Sequence, residues 1–297
     1  MKNKTLIITN IIILSFIIIA LICFMIWGSF GNFNFWDFKG ELISSDTYSI
    51  AEVKKITSNL KSYDLEIMES DTSEIIVEVY GNKKSENNLK ININNDMVYN
   101  NEGANLNIKQ IGSTMCFGFC STSKVIVYIP SNLPIDLDLL SISGEIEVNP
   151  DFINSNTIIK TTSGDIKANN LYSSTIKSTS GDIEISSINE GSIVTTSGDI
   201  SIDYLKSCDI KSTSGEINIT ELSSGGTIKT TSGDIEIDRF TINENTFISS
   251  TSGEIEIDLL NEAYIDAQTK SGDKDIKKSR GEYELIINTT SGDITVR

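Results

Sequence analysis

The sequence predicts an all-β protein whose second half is a parallel β-solenoid, preceded by an N-terminal transmembrane helix. Three observations lead to this fold class. A motif of serine, glycine and an acidic residue recurs nine times, in steps of 17 to 20 residues. Aliphatic and polar residues alternate around each copy, and residues 5–27 form one long apolar run. We expect right-handed coiling, the usual sense for parallel crossovers.

The apolar run at the N-terminus predicts an uncleaved membrane anchor. As a helix, residues 5–27 would be about 34 Å long, which is enough to cross a bilayer. Lys2 and Lys4 precede the run, and basic residues favour the cytoplasmic side. A signal peptide would need a small-residue cleavage site, and residues 29–31 match one poorly. Lipoprotein processing at Cys23 is disfavoured because Ile22, rather than a small residue, precedes it.

We divide the chain into four parts on this basis. Residues 1–29 are the cytoplasmic stub and transmembrane anchor, and residues 30–49 are a tether. Residues 50–140 contain irregular strands that form the first rungs and a cap, and residues 141–297 are the repeat solenoid. The expected location is the cell membrane, with a single span and an extracytoplasmic C-terminal part.

The nine copies of the repeat align on one glycine each. These repeat turns are Gly144, Gly164, Gly181, Gly198, Gly215, Gly233, Gly253, Gly272 and Gly292. The residue before the glycine is always serine, and the residue after it is always Asp or Glu. Aliphatic columns five residues before the glycine, and two, four and seven residues after it, are expected to face the interior. Each rung then supplies a strand, a corner, a second strand and a return path, with the ninth copy ending the stack.

Stacking would place the acidic residues that follow the glycines in one outward row. At about 4.8 Å between rungs, neighbouring carboxylates repel by about 1 kcal/mol even in water. The structural explanation is that Ser and Asp side chains accept backbone N–H hydrogen bonds at the corner, while glycine supplies a positive φ. The alternative is a row of cation ligands, namely Asp165, Asp182, Asp199, Glu216, Asp234 and Glu254. Because Glu and Asp interchange here, we expect no cofactor beyond weak calcium binding.

A threonine ladder is expected beside this row, two residues before seven of the nine glycines. Its members run from Thr162 to Thr290, which raises an ice-binding surface as an alternative. The neighbouring outward column, however, contains Lys160, Lys177, Lys211 and Lys229. A single threonine file beside lysines is better explained by the high strand propensity of threonine.

The cysteines offer a candidate disulfide. Cys116 and Cys120 flank Phe-Gly-Phe, and their sulfurs oppose each other if Gly118 tips a three-residue hairpin loop. In a straight strand they would lie about 13 Å apart and could not bond. A zinc site is the weaker idea, because structural zinc takes four ligands and the chain has no histidine. Cys208 is expected to be a single buried thiol.

The SGDI and SGEI repeats, the N-terminal span and the strand KVIVYIP resemble a bacterial family of β-strand-repeat proteins labelled "putative adhesin" or domain of unknown function. The resemblance covers about residues 50–297. It implies an extracytoplasmic β protein, and some similar proteins accompany cell-envelope stress systems. It implies no catalytic residues.

The sequence favours a non-catalytic binding, adhesin-like or structural module at the bacterial cell envelope. The formal charge of -17 argues against nucleic acid as a partner, since phosphates would be repelled. An envelope protein or glycan is the expected partner, with self-association through the C-terminal rung if its edge is exposed. Without histidine a Ser-His-Asp site is excluded, and the Ser-Gly-acid copies are turns. The alternative is a carbohydrate-active lyase or hydrolase that uses a carboxylate pair on a β-helix.

Overall fold

A computed structural model describes residues 40–50, 53–81, 88–94, 104–112, 123–131, 133–277 and 280–297, without the side chains of 94 and 152–154. The predicted anchor, the first part of the tether, and both Cys116 and Cys120 lie outside the described residues. Within the described residues, no helix is long and apolar enough to span a membrane. Glu41–Arg297 is one compact unit.

The described residues form 21 β-strands. The first ten are β1 (Glu41–Ser49), β2 (Val53–Asn59), β3 (Asp64–Ser70), β4 (Glu74–Gly81), β5 (Leu89–Asn94), β6 (Ala104–Gln110), β7 (Lys124–Pro130), β8 (Asp136–Leu140), β9 (Ile146–Val148) and β10 (Phe152–Lys160). The others are β11 (Ile166–Lys177), β12 (Ile183–Val194), β13 (Ile200–Lys211), β14 (Ile217–Lys229), β15 (Ile235–Phe240), β16 (Thr246–Ser249), β17 (Ile255–Leu259), β18 (Tyr264–Ser271), β19 (Lys274–Ile276), β20 (Glu284–Ser291) and β21 (Ile294–Val296). The all-β prediction is confirmed.

One long strand makes each rung in the regular part of the stack. β11 to β14 each begin two residues after one repeat glycine and end four residues before the next. They pair in parallel and in register, so that Ile183 lies between Ile166 and Ile200. β14 pairs with β15 along its first part and with β16 along its last part. We call the segments after the glycines the post-glycine sheet and the segments before them the pre-glycine sheet.

The isoleucine columns fill the interior between these sheets, as predicted. Ile146 to Ile255, two residues after the glycines, and Ile159 to Ile248, five residues before them, are at most 1% exposed. Each fully buried isoleucine side chain contributes about 1.5–3 kcal/mol. Leu260 departs from its predicted column and is 55% exposed. The register shifts between β15 and β17, so that Leu259 takes the place opposite Phe240.

The spatial order of the rungs departs from the chain order at the N-terminal end. The rung of β2 and β3 pairs with β8 and β9 on one side and with β6 and β7 on the other. β6 and β7 therefore lie outside the strands that precede them. β5 pairs antiparallel with β6, while β4 pairs antiparallel with both β7 and β1. Glu41–Ser49, predicted as tether, is thus the outermost described strand of the post-glycine sheet.

At the C-terminal end, too, the spatial order of the rungs departs from the chain order. β16 and β17 pair with β20 and β21, and β18 and β19 lie outside these. Gly292 consequently lies between Gly253 and Gly272. The predicted order, with the ninth copy at the end of the stack, is wrong: the eighth copy ends it.

This position explains why the eighth copy departs from the repeat. The inward side chains of an outermost rung pack against one neighbouring rung instead of two, so the demand for apolar side chains is lower. Ala267 and Lys274 stand where other copies have isoleucine or, in one case, leucine, and Lys274 is exposed. Its Nζ donates a hydrogen bond to the carbonyl oxygen of Ala267 at 3.2 Å. A charge at this position also disfavours pairing with another sheet edge.

Candidate functional site

The repeat glycines allow neighbouring rungs to approach closely at the corner. A Cβ atom on Gly198 would lie 2.0 Å from the carbonyl oxygen of Gly181. A side chain there would force the two rungs apart. Positive φ occurs at Gly272 and Gly292 but at none of the other repeat glycines, all of which the structure describes. The prediction that glycine supplies a positive φ is therefore wrong for the regular rungs.

A column of hydroxyl side chains completes the corner, and the sequence reasoning missed it. The residue three before each glycine is Ser141, Thr161, Ser178, Thr195, Ser212, Thr230, Ser250, Thr269 or Thr289. Oγ1 of Thr195 accepts a hydrogen bond from the N–H of Gly198 at 3.1 Å. The same bond occurs at Ser141, Thr161 and Ser178. The signal was present, because every copy has Ser or Thr at this position.

The aspartates of the acidic row bind the backbone of the next rung. The N–H of Asp199 donates to Oδ1 of Asp182 at 3.0 Å, and the N–H of Glu216 donates to Oδ1 of Asp199 at 2.9 Å. The predicted hydrogen bonding by Asp is confirmed. Every acceptor of this kind among the described residues is an aspartate, so Asp and Glu are not equivalent here. The further acceptors are Asp64, Asp165, Asp234 and Asp293.

The serines that precede the glycines do not share this role. In all nine copies, which the structure describes, their side chains are exposed and accept no corner N–H bond. Their backbone N–H groups bind the adjacent rung instead, as Ser197 does with the carbonyl oxygen of Thr179 at 2.9 Å. The prediction that these serines satisfy the corner is wrong, and the hydroxyls of Ser141, Thr161, Ser178 and Thr195 take that place.

The six candidate cation ligands are exposed and lie in single file along the corner. Four of them, Asp165, Asp182, Asp199 and Asp234, already use Oδ1 in the bonds between rungs. Across the described residues, no group of three or more His, Cys, Asp or Glu could hold a metal ion. Weak calcium binding stays a prediction for titration.

Lysines form a second file, on the outer surface of the pre-glycine sheet. The strand pairing aligns the positions four residues before each glycine in one column, and this column continues into β2, β5 and β6. In spatial order this lysine file is Lys90, Lys109, Asn59, Leu140, Lys160, Lys177, Val194, Lys211 and Lys229. All of its lysines are exposed. At about 4.8 Å per rung, the file is about 38 Å long.

The lysines of the file adjoin in pairs and lack acidic partners. The pairs are Lys90 with Lys109, Lys160 with Lys177, and Lys211 with Lys229. Like charges at this spacing repel by about 1 kcal/mol in water. The salt bridges among the described residues use Lys55, Lys124, Lys167, Arg239 and Arg297, and none includes a lysine of the file.

The outer surface of the post-glycine sheet is acidic. In addition to the acidic row, a second column three residues after the glycines contains Glu147, Glu184, Glu236 and Glu256. Lys167 interrupts this column and pairs with Glu145 of the row, with 2.9 Å between Nζ and Oε1. The two outer surfaces of the solenoid therefore carry charge of opposite sign along these columns.

A shallow groove of about 270 Å³ lies within the lysine file. It forms where Asn59 and Leu140 separate Lys109 from Lys160, because these two side chains are shorter than the lysines beside them. Its lining residues are Thr57, Ser58, Asn59, Asn107, Lys109, Asp138, Leu140 and Lys160. The groove thus offers ammonium, amide and hydroxyl groups together with the Asp138 carboxylate, which forms a salt bridge with Lys55 at 3.2 Å.

Cys208 is a free, buried thiol, as predicted. Burial, followed by the charge of Asp209, raises the pKa of the thiol to about 12. A thiol with this pKa is protonated at neutral pH and is a poor nucleophile. Cys208 is therefore part of the core packing rather than a reactive site.

Comparison with known proteins identifies the family. A family model described as Toastrack DUF4097 matches residues 53–297. The chain belongs to this family. The Toastrack match begins at β2 and includes both ends of the stack at which the rungs depart from chain order. No curated protein matches the chain.

Solved structures similar to this Toastrack chain share little sequence with it. A "putative lipid binding protein" from Parabacteroides distasonis is 17% identical, with a TM-score of 0.51 over 86% of this chain and 96% of that chain. A "putative adhesin" from the same species is 14% identical, with a TM-score of 0.36 over 86% and 97%. A "putative adhesin" from Bacteroides fragilis is 13% identical, with a TM-score of 0.34 over 86% and 97%. The first of these structures supports the fold alone.

Proposed function

We propose that this chain is a non-catalytic, single-pass membrane protein whose extracytoplasmic solenoid binds a component of the bacterial cell envelope. The apolar run at residues 5–27 would provide the anchor, and Lys2 and Lys4 would keep its start in the cytoplasm. The solenoid would then face the envelope outside the membrane. Its ligand would be an envelope glycan or protein.

The observation that carries this proposal is the pair of extended outer surfaces with opposite charge. Solenoids repeat the same side chain at each rung, which produces long surfaces suited to extended ligands. The lysine file and the acidic row are surfaces of this kind. A catalytic site, by contrast, needs different groups that converge on one point. The aspartates of the row instead bind the next rung, which gives them a structural role.

Cross-linking in living cells tests the proposal. A tagged full-length chain would be expressed in bacterial cells, cross-linked and recovered with whatever it contacts. The matched control is a chain of residues 1–40, which keeps the predicted anchor and lacks the solenoid. We expect an envelope glycan or protein to be recovered with the full-length chain and not with the control. Recovery of the same partners by both chains would contradict the proposal.

A second measurement separates binding from catalysis. The purified full-length chain would be incubated with a panel of envelope polysaccharides, and both retention and reducing ends or unsaturated products would be measured. We expect retention without turnover. Product formation that follows the amount of protein would instead support the carbohydrate-active enzyme.

A further inference from the structure

We propose that the lysine file binds a linear polyanion that lies along the solenoid axis, across the strands of the pre-glycine sheet. This inference rests on the proposed function and names the surface and the ligand chemistry. The shared chemistry is a chain of repeated carboxylate or phosphate groups. Envelope polymers of either kind would meet the same row of ammonium groups.

The arrangement of charge in the file is the first argument. Three pairs of adjacent lysines repel each other, and none of them has an acidic partner among the salt bridges of the described residues. A protein with a net charge of -17 has ample carboxylates that could have neutralised this surface. The acidic groups lie mainly on the opposite sheet. A bound anion between the members of each pair would relieve their repulsion.

The groove is the second argument, independent of the first. Lys109 and Lys160 lie three rungs apart, and the shorter Asn59 and Leu140 leave a depression between them. Amide groups of Asn59 and Asn107 line this depression, so hydroxyl or ester oxygens of a polymer unit could be bound there. Oγ1 of Thr57, also in the lining, is buried and has no hydrogen-bond partner. The groove would therefore hold one monomer unit of the polymer between the ammonium groups of Lys109 and Lys160.

The width of the file favours a single chain over a flat anionic membrane. The adjacent column, two residues earlier in each strand, contains Asp138, Asp209 and Asp266. A membrane surface would cover both columns and would be repelled by these carboxylates. A narrow polymer can follow the lysines and meets one of these carboxylates, Asp138, only in the groove, where Lys55 pairs with it. The acidic surface of a second copy would also reach both columns, and two copies each carry a net charge of -17.

Binding of two defined polymers tests the inference. The full-length chain, held in a neutral detergent, would be titrated with sodium polyphosphate and with polygalacturonate. The test variant replaces four exposed lysines of the file, Lys160→Gln, Lys177→Gln, Lys211→Gln and Lys229→Gln. We expect the dissociation constant for the tighter polymer to rise at least tenfold in this variant. Wild-type binding should also weaken with added salt, because screening acts on exposed charges. The tighter of the two polymers indicates whether phosphate or carboxylate is the natural group.

The matched control changes the net charge by the same amount at exposed lysines outside the file. Its substitutions are Lys54→Gln, Lys206→Gln, Lys270→Gln and Lys277→Gln. We expect its affinity to stay within about twofold of wild type, since screened charges away from the file contribute little. Circular dichroism would confirm that both variants keep the β-sheet spectrum.

Four outcomes overturn the inference. Neither polymer binds the wild type, or both variants lose affinity equally. Alternatively, anionic lipid vesicles bind through the file and the polymers do not, which would indicate a membrane surface. Finally, light scattering shows an oligomer that the file variant abolishes, which would indicate a second copy as the partner. The file variant could bind the polymers as tightly as the wild type and still recover envelope partners in cells. In that case the proposed function stands and this inference alone falls.

Discussion

Replacing Gly198 by alanine tests whether close approach of the rungs at the corner stabilises the solenoid. The new methyl carbon would lie 2.0 Å from the carbonyl oxygen of Gly181, whereas ordinary contact begins at 3.4 Å. The two rungs would have to separate locally by about 1.4 Å. Two backbone–backbone hydrogen bonds span this gap: the N–H of Ser197 to the oxygen of Thr179 and the N–H of Ile183 to the oxygen of Asp199, both at 2.9 Å. Neither bond would survive such a displacement.

The expected cost follows from these contacts. Two lost hydrogen bonds cost about 2 kcal/mol together, and overpacking adds about 1–3 kcal/mol. Alanine restricts the unfolded chain more than glycine does, which offsets about 0.5–1 kcal/mol of this loss. We therefore expect Gly198→Ala to lower the free energy of unfolding by about 2–4 kcal/mol. Urea unfolding followed by circular dichroism at the β-sheet band measures this loss.

The control is Thr196→Ala, which changes an exposed side chain at the same corner. Its effect should stay within about 0.5 kcal/mol, as for most surface substitutions. If Gly198→Ala changes stability no more than this control, the corner does not depend on close approach, and the explanation of the repeat glycines fails.

Three further predictions concern the corner and the acidic row. Thr195→Val leaves the buried N–H of Gly198 without its acceptor and should lower the free energy of unfolding in urea by about 1–3 kcal/mol. The control Thr196→Val should be nearly neutral, and equal effects of the two substitutions would refute a role for the hydroxyl column. Burial raises the pKa of Asp64 above its ordinary value, against the N–H bond from Glu145, so the folded state holds this proton more tightly than the unfolded state. The stability that the protonated Asp64 contributes is therefore lost as the pH rises through the raised pKa. We expect Asp64→Asn to raise the melting temperature at pH 7 but not at pH 3. The same change in melting temperature at both pH values would contradict this explanation. Millimolar calcium should raise the melting temperature by less than about 1 °C relative to a chelator control, and a clear rise would place a cation on the acidic row.

The sequence was sufficient to predict the regular part of the fold. Alternation and period are local properties, and the columns of Ile183 and Ile193 show both over many copies. Because a one-residue shift would turn every isoleucine outward, these columns also determine the register between rungs. The acidic row followed from the same alignment, and the hydroxyl column could have been found in it.

The order of the rungs at the ends could not be read from the repeat. Every rung presents the same aliphatic columns, so the copy of Gly292 fits between two neighbours as well as outside them. The only local signals were Ala267 and Lys274, which interrupt the aliphatic columns but do not show which copy is outermost. The extent of the lysine file was hidden for the same reason. Lys90 and Lys109 join it only through the pairing of β5, β6 and β2.

The rung order determines which side chains are neighbours on both outer surfaces, and cross-linking with engineered cysteines measures it directly. With the native cysteines replaced, two double variants are compared, Glu256→Cys/Thr295→Cys and Glu256→Cys/Asp275→Cys. The first pair occupies adjacent rungs, with Cα atoms about 4.8 Å apart, whereas the second pair is about 9.6 Å apart. A disulfide needs Cα atoms within about 7 Å. Mass spectrometry after mild oxidation should find a disulfide between positions 256 and 295 and none between 256 and 275; the reverse result would show that the rungs follow chain order.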